Sequence, residues 1–120
     1  MKKSILPLLV AAALIGSASA QSSSDTLSQL QEAHKNLQLG MHDYHGHRGK
    51  ADQEVKLAIR EIGGKPDKTD GQRASDQTTS DNYLQNALSL LRGVVDQLTG
   101  STQQNVQEAI QEIDIALKLK

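Results

Sequence analysis

The stretch "MHDYHGHRGKA", residues 41–51, holds three of the chain's four histidines within six positions. His42, His45 and His47, with Asp43 between the first two, put three imidazoles and a carboxylate side by side in sequence. Such a donor set suits Cu(II), Ni(II) or Zn(II), and Met41 adds a thioether suited to Cu(I). On a helix, His42 and His45 are three residues apart and share a side, close enough to hold one ion. His47 then folds back over the helix end, and Asp43 supplies an oxygen or orients an imidazole from behind. The spacing matches neither H-E-x-x-H nor a paired-cysteine zinc pattern. The alternatives are a solvated, His-rich turn and a patch that contacts a partner protein. Arg48 is expected to bond the last carbonyls of the preceding helix, and Tyr44 to pack rather than react. His34 stands apart: 11 residues from His45, or ~16 Å along a helix, it cannot share an ion with the cluster. It lies on an apolar seam, where a hydrogen-bonded structural histidine is expected.

The elements that must position this stretch follow from apolar spacing. Leu27, Leu30, His34, Leu37, Met41 and Tyr44 are spaced 3-4-3-4-3, one face of a helix starting at Ser24 or Asp25. Gly40 weakens that helix by about 1 kcal/mol relative to Ala without ending it in this pattern. "HGHRG" is a break. A second helix, from about Lys50 to Ile62, carries Ala51, Val55, Ala58 and Ile62, and Gly63-Gly64 followed by Pro66 stops it. Residues 63–80 have no apolar period and are expected to be a flexible connection. Their spacing around Gly71 does not supply the acidic ligands of a calcium loop. A third helix from Ser80 or Asp81 carries Leu84, Leu88, Leu91, Val95 and Leu98. After "TGST", a fourth from about Thr102 carries Val106, Ile110, Ile113 and Leu117.

The halves are related by a degenerate duplication. At an offset of 54, Leu30 matches Leu84, Ala33 matches Ala87, Leu37 matches Leu91 and Gly46 matches Gly100. With one more residue inserted, Ala51, Val55, Ala58 and Ile62 match Val106, Ile110, Ile113 and Leu117. An amphipathic hairpin cannot cover its own apolar stripe, whereas two hairpins facing each other can. The expected fold is therefore all-α, an antiparallel four-helix bundle of two helical hairpins (25–62 and 81–120). The second hairpin turns at "LTGST", which has no histidine, so the turn itself does not require one.

Composition agrees. With two Tyr, no Phe, no Trp and no Cys, the core must come from Leu, Ile, Val and Ala, and no disulfide assists it. Lys2 and Lys3, an apolar run over residues 5–15 and small residues at Ala18 and Ala20 have the form of a secretory signal peptide, residues 1–20. A run of about 11 apolar residues is too short for a membrane anchor. A mature chain from Gln21, in the periplasm or secreted, is expected. Without the two lysines, 11 basic residues face 14 acidic ones, a balance that disfavours nucleic acid as partner. No nucleophile elbow, phosphate-cradling Gly-rich loop or separated carboxylate pair is present, so catalysis is not expected. Leu39, Leu57, Leu90, Val94, Ile115 and Leu119 fall off the main seam, and some of them can form a homodimer surface.

"GHRGKADQEVKLAIREI", with Gly46, His47, Arg48, Lys50 and Ala51 followed by Val55, Ala58 and Ile59, resembles a group of small exported bacterial helical proteins with a Gly-His-Arg-x-Lys-Ala motif. That group is similar to the small metal-binding protein family, periplasmic four-helix bundles whose His-rich helices bind copper and other divalent ions. Members of that family spread many histidines over all four helices, whereas this chain has four in total. The resemblance thus implies at most one low-capacity metal site, at His42, His45 and His47. The alternative function is a periplasmic helical scaffold or partner-binding protein without metal.

Overall fold

The computed structural model describes residues 25–69 and 71–119, and all regular structure in them is helical. The expected signal peptide lies outside the described residues. Helix α1 covers 25–39, α2 His47–Glu61, α3 Gln77–Val94, with a 3-10 turn Val95–Gln97, and α4 Gly100–Lys118. Among the described residues, no helix is long and apolar enough to cross a membrane. The core is aliphatic, as the composition requires: Leu30, Leu37, Val55, Ile59, Leu84, Leu91, Val106 and Ile113 are fully buried, with Ala33, Ala51, Ala58, Ala87, Ala109 and Ala116 between them.

Helix α1 ends five residues before the spacing predicts. The Met41 amide donates to Ser80 Oγ (2.8 Å) instead of continuing the helical ladder. A Cβ on Gly40 would stand 2.7 Å from Leu84 Cδ1 and 3.0 Å from Arg48 Cδ, so a larger residue here would force those side chains to shift. The carbonyls left over at the helix end are taken up from elsewhere. Arg48 Nη1 donates to Leu37 O (2.7 Å), the Ala74 amide to Leu39 O (2.8 Å) and Arg73 Nη1 to Gly40 O (2.7 Å). Tyr44 therefore leaves the helix yet remains in the core, 1 % exposed.

Helix α2 begins three residues earlier than expected, after Gly46 in the left-handed region (φ 86°). It ends as expected at the glycine pair, with Gly64 N bonded to Ile59 O (2.9 Å) and Gly63 N to Arg60 O (3.1 Å), the two bonds of a Schellman cap. Helix α3 starts a turn before Ser80 because Asp76 is the better-placed cap, accepting from Thr79 N (3.1 Å). Ser80 and Asp81 thereby fall on the buried face. Helix α4 starts at Gly100 rather than Thr102.

Named pairs join the elements. His34 meets Asp52 and Leu37 meets Arg48 between α1 and α2. Thr26 bonds Gln97 and Tyr44 bonds Ser80 between the first hairpin and the α3 region. Glu61 bonds Ser101 and Asn105, and His47 bonds Glu112, between α2 and α4. The connection after α2 lies along α1, where Gln31 Nε2 donates to Lys65 O (2.6 Å), and the Asp67 and Thr69 amides donate to Gln31 and Gln38 Oε1 (3.0 and 3.1 Å). An apolar pattern gives no hint of this docking, because glutamine amides replace apolar side chains.

Candidate functional site

The end of the molecule where α1 stops collects most of its polar chemistry. The Tyr44 hydroxyl lies between Ser80 Oγ (2.6 Å) and Asp81 Oδ1 (2.8 Å), to which it donates, and accepts from Gln77 Nε2 (3.2 Å). Burial, acting with the neighbouring Asp81, pushes the phenol up to about 12, so it stays protonated over the whole physiological range.

Beside it, Gln38, Arg48, Asp52, Lys68, Thr69, Gly71 and Arg73 line an open cleft of about 420 Å³ between the first hairpin and the connection. Asp52 is 7 % exposed, and its Oδ1 takes up His34 Nδ1 at 2.5 Å. The expectation of a hydrogen-bonded seam histidine at His34 holds, and the histidine is more deeply buried (1 % exposed) than a half-buried seam position would be. Arg48, expected to cap the preceding helix, does so through Leu37 O. Burial and then the like charge of Arg73 push its guanidinium down from the ordinary value. Its Nε–H is buried with no acceptor among the described residues.

The four residues of the expected metal site are placed as follows. His42 and Asp43 are exposed on the turn, outside any helix, and His42 Nδ1 stands 3.5 Å from Arg48 Nη2. The charges of Arg73 and Arg48 push the His42 imidazole down from 6.5. The same positive field opposes a metal cation at that nitrogen. His45 is exposed and sits at φ 53°, a left-handed conformation that is uncommon for a residue with a side chain. His47 opens α2, and its Nδ1 meets Glu112 Oε1 at 2.5 Å. That contact holds the Glu112 carboxyl below the usual carboxylate range. The helical i, i+3 relation between His42 and His45 is not formed. Among the described residues, no group of three or more His, Asp or Glu side chains is arranged to hold a metal ion.

Sequence reasoning missed Glu112, Lys68 and Arg73. Glu112 lies 65 residues from His47, and only the register between α2 and α4 brings them together. Lys68 and Arg73 sit in a segment without periodicity, so their convergence on Arg48 had no signal. Comparison with protein-family models, with curated proteins and with solved structures finds no match to this chain.

Proposed function

We propose that this chain is an exported, antiparallel four-helix bundle that works by binding, and that its binding end is the one formed by the first turn and the connection after α2. Export rests on the form of residues 1–20. The pairings Leu37–Arg48 with His34–Asp52, Tyr44–Ser80 with Thr26–Gln97, and His47–Glu112 with Glu61–Ser101 each ascend one helix as they descend the other. They support antiparallel neighbours throughout. In that topology α2 and α3 run the same way, so the connection must return along the bundle. Residues 63–76, at up to ~3.3 Å each, reach far enough to do so.

The observation that carries the binding role is the cleft: three cationic side chains line one open hollow. Circular-dichroism melts of the mature chain against a panel of small anions and divalent cations test it, since a ligand of the native state raises Tm. At least one anion should raise Tm in the parent and fail to do so after Arg73→Gln. A panel without effect on the parent would refute the role.

A second reading, one copper, nickel or zinc ion at the turn, is favoured by the Glu112–His47 pair. A carboxylate on Nδ1 leaves Nε2 as the coordinating nitrogen, the usual arrangement behind a metal-bound histidine. Equilibrium dialysis of the parent and of a His42→Ala/His45→Ala/His47→Ala variant decides it. Equal metal retention by the two would exclude the turn as the site.

A further inference from the structure

The cleft has a composition specific enough to name its ligand class. Among the described residues, Arg48, Arg73 and Lys68 bring three positive charges to it and Asp52 one negative charge. Apart from Gly71, every residue that lines it has a polar or charged side chain. Each guanidinium spends one nitrogen, Nη1, on a carbonyl at the end of α1. Those bonds pin both guanidinium planes in place, leaving Arg48 its Nη2 and Arg73 a two-nitrogen edge that matches the paired oxygens of a carboxylate or phosphate. Two arginines that line one cleft, each anchored on a carbonyl at the end of α1, form a like-charge arrangement that an oxyanion would relieve. Lys68, a compact charge with no hydrogen bond among the described contacts, completes the rim.

Asp52 narrows the choice. A carboxylate in the wall repels a fully ionised anion, but it accepts a hydrogen bond from an oxyanion that still carries a proton. Sulfate carries none near neutral pH, whereas inorganic phosphate and the monoanionic form of a phosphomonoester do. We propose that the cleft between Arg48, Asp52, Lys68 and Arg73 is a binding site for a protonated phosphate group, free or as a small phosphomonoester. This rests on the binding role proposed for that end and gives it a ligand class. No bond is made or broken.

Isothermal titration of the full mature chain with inorganic phosphate, glycerol 3-phosphate, sulfate and citrate at fixed ionic strength tests it. Phosphate or glycerol 3-phosphate should bind with 1:1 stoichiometry, and sulfate at least tenfold more weakly. Preference for glycerol 3-phosphate would identify the phosphomonoester as source, and preference for phosphate the free ion. Arg73→Gln should weaken binding at least tenfold. Lys68→Gln, which removes a charge without removing a hydrogen bond of the fold, should weaken it severalfold while the melt is unchanged. Absence of binding by both phosphates, sulfate binding as tightly as phosphate, or indifference to both substitutions would overturn the assignment. Citrate binding lost on Arg73→Gln, with neither phosphate bound, would overturn the ligand class alone and leave the binding end standing.

Discussion

Replacing Tyr44 with Phe removes one oxygen from the most buried polar network in the protein and leaves the ring in place. The hydroxyl makes three contacts, at 2.6, 2.8 and 3.2 Å, to Ser80, Asp81 and Gln77. Its bond to the Asp81 carboxylate is charge-assisted, and the partners lose it in a buried setting, so the expected cost is about 1.5–3 kcal/mol. In a domain of this size each kcal/mol moves Tm by ~4–8 °C. The same hydroxyl also sets a pH dependence. Folded, it is pushed up to about 12 from an ordinary 10.0. Between those values the unfolded chain has released the proton and the folded chain has not. Stability from this group is therefore complete below pH ~10 and falls as pH rises toward ~12, by at most about 3 kcal/mol. Urea unfolding of parent and Tyr44→Phe at pH 8, 10 and 11.5 separates the two effects, because other titrating groups cancel in the difference. The gap should be largest at pH 8 and close as pH rises. A Phe variant as stable as the parent at pH 8, or a gap independent of pH, would show that the hydroxyl is not held as described.

Other consequences are equally open to measurement. Asp52→Ala leaves the buried His34 Nδ1 without its partner and should cost about 1–3 kcal/mol in urea unfolding, and His34→Leu, which copies the equivalent Leu88 but leaves the Asp52 carboxylate without that bond, should cost at least as much. Gly46→Ala meets no neighbouring atom but must hold φ 86°, so it should lose about 1–2 kcal/mol by strain alone. Arg73→Gln should raise the His42 pKa toward its ordinary 6.5, read from its imidazole proton shifts by NMR, because Arg73 is the main cause of its depression. Gln31→Ala/Gln38→Ala should speed tryptic cleavage at Lys68 and Arg73, since those two amides tie the connection to α1.

The helical class and the core were legible because an aliphatic 3-4 spacing admits one physical solution. Leu30, Leu37, Val55, Leu84, Leu91, Val106 and Ile113 are all both seam positions and fully buried. The likeness of the two halves has a counterpart in the backbone. Gly46 and Gly100, matched at the turns of the two halves, both take left-handed φ values, 86° and 62°. Helix ends were less legible, since they depend on partners distant in sequence. Nothing near Gly40 announces that Ser80 will take the Met41 amide, or that Arg48, Arg73 and Ala74 will satisfy the carbonyls of α1. The placement of the histidine stretch was hard to read for the same reason. His42 and His45 look like helical neighbours only if α1 continues to residue 44, and it ends at 39. The cleft was invisible because its walls come from three segments, one of them without any pattern.

The proposed binding role is tested most directly by residue-resolved NMR of the labelled mature chain titrated with inorganic phosphate. Amide shifts should concentrate at Gln38, Arg48, Asp52 and residues 68–73, saturate together, and vanish in Arg73→Gln. Shifts confined to the outer faces of α2 and α4, or a spectrum unchanged at millimolar phosphate, would contradict it.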